Sequence, residues 1–439
     1  MCEEKGLLAG YGKVDITPDY PTGLGGYSNA ETRQHEGVVE NIFTTCIALS
    51  EGEETILIYT IDNCACDHGF AEKIRAVVTP VTGIPGEKIF CSATHTHSAP
   101  STGGYPNAKR YVEDLLMACV QAAREALADL APAKVMAAKK EFFGLNFVRH
   151  NITANGTYAG SNFGSFKDNP AVGYATEPDR QMVLVKFQRE GTKKSITLIN
   201  WQGHPDCARA AGFENITSGY PGTMRDTLAL YTGDLTAFIT GADGNTNITT
   251  RVKADSHGMD WREYGVYMAK LAFEMTKEMV EVEGTGIATA RRMVEVEIDH
   301  SWDHMLPQAD EVFDLWKTVG KVEGDALGAT YGFTSSYQAR AIRARAKMGK
   351  STILEINAFR VGGVGFTTGT YEMFSDAGIF IKANSPYEFT FLLTGNSSYI
   401  PSYDAFNYRC YEADTGFYAR GTAEKLADQY VEMLKEVKE

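Results

Sequence analysis

The chain has 439 residues, 44% hydrophobic and 22% charged, the balance of a globular protein with a large core. A formal charge of −14 excludes a nucleic-acid surface, which needs clustered cations, and adhesion to anionic membrane through a basic patch. No run of about 20 apolar residues occurs, so no stable membrane insertion is expected.

The start, Met1 to Gly6, is acidic and leads into an apolar stretch too short for a signal core, so no export signal is expected. The eight cysteines are spread thinly. Cys46, Cys91 and Cys119 sit inside apolar runs as buried free thiols, Cys64 and Cys66 read as a buried pair after a strand, and Cys207 reads as structural. Such usage fits a reduced, cytoplasmic compartment. No internal repeat, low-complexity linker or composition break is visible, so residues 1–439 are read as one catalytic domain.

In chain order, Thr55–Asp62 (TILIYTID) predicts a buried strand and Phe70–Val78 a helix. Lys88–Ala93 (KIFCSA) predicts a strand, and Tyr111–Leu130 an amphipathic helix. Gln181–Gln188 and Lys194–Asn200 read as a hairpin around Glu190-Gly191. Leu235–Thr240 is a strand and Trp261–Val282 a long helix. Thr352–Phe366 reads as two strands joined at Gly362-Gly363, Glu388–Thr394 as another strand, and Gly421–Val437 as a closing helix. Strands alternating with helices predict an α/β protein, a single large domain with a mixed β-sheet core flanked by helices.

The strand exits carry the polar groups. KIFCSAT runs into His95 and His97, SITLINWQG into His204, and LTAFITG into Asp243 and Asn245. GVGFTTGTY reaches Glu372, and FTFLLTGNSS reaches Tyr399. Ligands of open α/β sheets collect outside the carboxyl ends of strands, so convergence of these exits would build one site. In Thr94-His95-Thr96-His97, extended backbone would put both imidazoles on one side, a plausible start for a metal site.

SATHTHSAP followed by a Gly-Gly pair resembles the zinc motif of the neutral (non-lysosomal) ceramidases. GYGKVDITP with the later GGYSN, NWQGH with ITSGY, GTYEMFSDAG and SYIPSYDAFNYRCYEA are similar to other segments of that family, in the same order along the chain. The resemblance implies a zinc-dependent hydrolase in which a metal-activated water attacks a carboxamide (N-acyl) bond. It implies His95, His204, Glu372 and Tyr399 as zinc ligands, with His97 facing the substrate. Arg149, in LNFVRHN, would contact the substrate's polar head, and Tyr411, in RCYEA, would stand near the scissile group.

Three departures separate the sequence from the family pattern. Asn245, in ADGNTN, stands where those enzymes carry a serine, which removes a hydroxyl nucleophile there and leaves the amide to position water or substrate. The resemblance is expected to cover the catalytic domain only, without the C-terminal immunoglobulin-like domain of the secreted ceramidases, and no export signal is expected. The expected partner is therefore a small-molecule substrate, more polar than long-chain ceramide. Polar stretches at 151–158 (NITANGTY) and 160–169 (GSNFGSFKDN), stacking faces on Trp201, Trp302 and Trp316, and a bidentate clamp from Arg149 would suit it. The alternative is a zinc enzyme of the same architecture acting on a sugar or glycoside by hydrolysis or elimination. A catalytically silent zinc scaffold is a third reading, disfavoured because His97, Arg149 and Tyr411 are present.

Overall fold

The computed structural model describes residues 6–27, 32–103, 107–156, 158–160, 170–207, 211–249 and 259–438. Within them the principal elements recur three times in the same order. The first unit is β1 (Leu8–Asp15), β2 (Phe43–Glu51), β3 (Glu54–Ile61), α1 (His68–Thr82), β4 (Ile89–Ala93) and α2 (Ala108–Ala128). The second is β5 (Ala131–Glu141), β6 (Gln181–Arg189), β7 (Ile196–Trp201), α3 (Gly219–Thr232), β8 (Leu235–Thr240) and α4 (Trp261–Thr276). The third opens with β9 (Ile287–Glu297), inserts α5 (Leu306–Thr318), α6 (Lys321–Thr330) and α7 (Ser336–Arg345), and continues with β10 (Ser351–Val361) and β11 (Val364–Gly369). It closes with α8 (Ser375–Asn384), β12 (Phe389–Thr394), the short α9 (Tyr411–Thr415) and α10 (Thr422–Glu436). In every unit the first three strands are antiparallel, and the fourth runs parallel to the third across a helix.

The repetition is one of backbone only, and no repeat is visible in the sequence. What the units share is a burial pattern, which many residue combinations satisfy, and the long excursions fall at different points in each.

Packing explains the pattern. The inner faces of all three units share one apolar core, with Ile58 and Phe90 from the first, Val185 and Ile239 from the second, and Phe359 and Phe391 from the third. Phe359 stacks on both Phe90 and Phe366, with ring centroids 4.2 and 4.7 Å away. The outer face of each unit is covered by its own helix pair: α1 with α2, α3 with α4, and α8 with α10. Third and fourth strands are thus buried on both faces, and their sequences read as continuous apolar runs. First strands such as β5 and β9 are half exposed and carry no such run, so they were not legible in the sequence.

Units one and two join edge to edge through β1 and β5, where Leu8 opposes Pro132 and Ala9 opposes Ala131. The fourth strands β4, β8 and β12 lie against one another. Thr394 Oγ1 donates to Thr240 O (3.1 Å) and Thr60 Oγ1 to Phe238 O (2.6 Å). The fourth strands of all three units therefore meet at the centre of a mixed α/β fold. The helix expected over Trp261–Val282 ends at Thr276, because Val280–Glu281 pairs with β5 as an extra edge. Among the described residues, no helix is long and apolar enough to cross a membrane.

Candidate metal centre

His95 follows β4 in a left-handed conformation, φ +64°, unusual outside glycine. Its Nδ1 bonds the Cys64 carbonyl, which makes Nε2 the free nitrogen. That Nε2 lies 3.5 Å from Glu372 Oε2 and 3.3 Å from His97 Nε2. His97 Nε2 lies 3.1 Å from His204 Nε2. All four side chains are buried, and ligand atoms of His95, His204 and Glu372 fall within 4.8 Å of one another. These residues exit β4, β7 and β11, one from each unit.

The donor set fits a metal ion. Metal–nitrogen bonds of about 2.0–2.1 Å put the donors of a tetrahedral zinc about 3.3 Å apart; among the proposed donors His95 Nε2 and Glu372 Oε2 are 3.5 Å apart, and His204 offers a nitrogen within 4.8 Å of both. Glu372 Oε2 accepts no protein hydrogen bond and has only the loose ion-pair contact with His95 Nε2 at 3.5 Å, a weak compensation for a buried carboxylate that a bound cation would improve on. Burial, with the cationic neighbours His95 and Arg149, holds His204 well below the usual imidazole range. Burial and nearby His95, Arg149 and Arg33 hold His97 down at about 3 despite Asp206. Both rings are therefore neutral, the form a metal requires of imidazole. His95, against the pull of burial, is instead held well above the usual range by Glu372 and Cys64, so a metal at its Nε2 has to displace a proton. Asp243, buried with neither carboxylate oxygen hydrogen-bonded, lies 3.9 Å from His204 Nδ1.

Tyr399 stands directly opposite Glu372, where Glu372–Met373 and Tyr399–Ile400 pair as a parallel bridge. Burial and Glu372 push its phenol up, and Arg149 works the other way. Tyr411, the first residue of α9, sets its ring 6.0 Å from that of Tyr399. Burial pushes its phenol up to about 12, so it is a protonated donor at neutral pH. Asn245 Oδ1 accepts from Ser375 N (2.8 Å), while its Nδ2 is buried without a partner.

Arg149 is placed differently from a substrate clamp. Nε donates to Glu412 Oε1 (2.6 Å), and Nη2 to Gly244 O (2.8 Å) and Tyr399 Oη (3.3 Å). Nη1 reaches Asn247 Oδ1 at 3.5 Å. With most of its five donors engaged, the bidentate clamp does not hold. Trp201 is also unavailable for stacking, being fully buried with Nε1 donating to Tyr264 Oη (3.0 Å). Trp302 and Trp316 are half-buried, against Phe333 and Tyr337 respectively. Much of the polar stretch at 151–169 lies outside the described residues. Cys66 and Cys207 are buried as read, whereas Cys64 is only half-buried, with Sγ 3.9 Å from His95 Nδ1.

Sequence reasoning missed the supports of the histidine turn. Arg33 Nη1 donates to the carbonyls of Gly25 (2.9 Å) and His97 (2.8 Å). Gly26, at φ +93°, presses on the His97 ring, where a Cβ would come within 2.6 Å of Cγ. The second glycine of GGYSN was the available signal. Glu412 and His150 were missed as well, although each neighbours a residue singled out.

No protein-family model matches the sequence, and no curated protein does. Among solved structures, a neutral ceramidase from Pseudomonas aeruginosa matches at a TM-score of 0.73 and 17% identity, over 98% of this chain and 74% of that one. A ceramidase complexed with C2 matches at 0.73 and 15% identity, over 99% and 75%. The fold is that of the neutral ceramidases. At such identities the likeness is one of fold, and the neutral-ceramidase fold agrees with the motif resemblance across nearly the whole chain.

Proposed function

We propose that the protein is a zinc-dependent hydrolase of the neutral-ceramidase type that cleaves the amide bond of a small polar N-acyl substrate. The observation that carries the reading is the meeting of three imidazole nitrogens with a buried carboxylate oxygen that accepts no hydrogen bond, at strand ends from all three units. His95, His204, Glu372 and Tyr399 would hold the ion. A bound zinc supplies a Lewis acid and makes water a nucleophile near neutral pH. Neutral His97 is placed to accept a proton or to hydrogen-bond the developing oxyanion, and protonated Tyr411 is a second donor. Asn245 offers no nucleophile, so its Nδ2 is assigned to orienting water or substrate.

Two measurements test this. Elemental analysis should find one zinc per chain, absent from a His95→Ala, His204→Ala variant; full loading of that variant sinks the ligand assignment. The zinc form is then assayed on ceramides of several chain lengths and on polar N-acyl, N-glycosyl and glycoside compounds. Turnover confined to polar N-acyl compounds is expected. Efficient ceramide turnover alone would restore the lipid substrate, and glycoside cleavage alone would replace the amidase reading.

A further inference from the structure

Glu412, in α9, is fully buried. A carboxylate in such a place is costly unless paired and hydrogen-bonded. It has two partners, consecutive in sequence: Arg149 Nε on Oε1 (2.6 Å) and His150 Nε2 on Oε2 (2.8 Å). His150, itself fully buried, is held from its other side by the Tyr408 hydroxyl, 3.2 Å from Nδ1.

His150, Cys410 and Glu412 also bring ligand atoms within 4.8 Å of one another, the signature of a second metal site. Charge decides against it. The Arg149 guanidinium already sits on Glu412 and would repel a cation, and both carboxylate oxygens are in use. The cluster therefore serves Arg149. A guanidinium is a rigid planar fork. With Nε pinned by Glu412 and Nη2 on the Gly244 carbonyl, its plane is fixed, and Nη2 also meets Tyr399 Oη at 3.3 Å.

We propose that Glu412 is a positioning residue for the metal site: it orients Arg149 so that Nη2 holds the phenol oxygen of Tyr399 toward the ion. This rests on the zinc reading above and gives Arg149 a task besides any contact with substrate. The Glu412–Arg149–Tyr399 line runs between α9, the turn joining the short strands Asn146–Val148 and His150–Thr153, and the bridge that also carries Glu372.

The test is zinc affinity by chelator competition, with the visible spectrum of the cobalt-loaded protein as a report on the ligand set. Glu412→Gln should weaken zinc binding about 10–100-fold, the usual range for a residue behind a ligand, and alter the cobalt spectrum. On a Tyr399→Phe background the same change should add nothing, because the effect passes through the phenol oxygen. If Glu412→Gln fails to fold, the paired variant Arg149→Met, Glu412→Leu removes both charges together and should show the same loss. Wild-type zinc affinity and cobalt spectrum in a folded variant would make Glu412 merely structural and overturn the proposal. An equal loss on the Tyr399→Phe background would overturn it too. A wild-type protein that takes up no zinc would instead overturn the metal reading, and this proposal with it.

Discussion

Arg225 Nη1 lies 2.8 Å from Asp62 Oδ2, both side chains almost fully buried, and this pair ties the second structural unit to the first. Arg225 is on α3, the crossover helix of unit two, and Asp62 follows β3 of unit one. Its counterpart on the crossover helix of unit one, Arg75, forms a two-pronged pair with Glu355 of unit three, at 2.7 and 2.9 Å. On the crossover helix of unit three, Lys382 reaches Asp179, just before β6 of unit two, at 2.7 Å. Each unit thus sends a buried cation to an acid of another, and the three pairs link the units in a closed cycle. A misplaced unit would leave a charge unpaired in the interior, so the cycle specifies how the units dock.

Breaking one link by Arg225→Met should destabilise the fold by about 3–5 kcal/mol, since Asp62 then remains buried without its cation. Adding Asp62→Asn should recover a measurable part, because a neutral amide is cheaper to bury. Urea unfolding of both variants measures this. Equal losses in the two would show that the ion pair is not what Arg225 contributes.

The Arg75–Glu355 link should be sensitive to acid. Burial alone would raise the Glu355 carboxyl, but hydrogen bonds from Arg75, Asn357 and Arg291 and the charge of Arg75 outweigh it and hold it down at about 2. A value depressed below the ordinary 4.5 stabilises the fold above that pH, and the contribution fades as pH falls toward 2. The difference corresponds to about 3 kcal/mol. The stability gap between wild type and Glu355→Gln should therefore be widest near pH 7 and shrink by pH 3. A gap that ignores pH would contradict it.

His97 separates two roles in one measurement. If it handles protons beside the ion, His97→Ala lowers kcat about 10²–10⁴-fold with zinc still bound. Because its Nε2 stands 3.1–3.3 Å from the other two imidazoles, elemental analysis is the deciding readout. Loss of zinc would move His97 into the ligand set.

Gly26→Ala should act through His97. The new methyl would lie 2.6 Å from the ring's Cγ on a backbone at φ +93°, where a side chain alone costs about 1–3 kcal/mol. Reduced activity with zinc retained is expected, since no donor of His95, His204 or Glu372 is touched. Wild-type kcat in this variant would show that the ring position is not critical.

What was legible in the sequence follows from burial. TILIYT, IFCSA, TLINW, LTAFIT and FTFLLT are covered on both faces, so they carry unbroken apolar runs and end in turns that expose their polar residues to reading. Strand β9 shows apolar residues on one face only, and α5 to α7 pack on a small core of their own, with Val312, Phe333 and Ile342. Neither pattern stands out from its neighbours along the chain.

The sequence by itself determined the α/β alternation, the buried strands and the polar groups at their exits, because each depends on residues close together in the chain. Only the tertiary structure decided which exits meet, that Trp201 turns inward, and that Arg149 spends its donors on Glu412, Gly244 and Tyr399. Arg149 and Glu412 stand 263 positions apart. A pairing of that kind leaves no periodic mark on either segment, since it is made by the docking of three units whose shared backbone their side chains do not reveal.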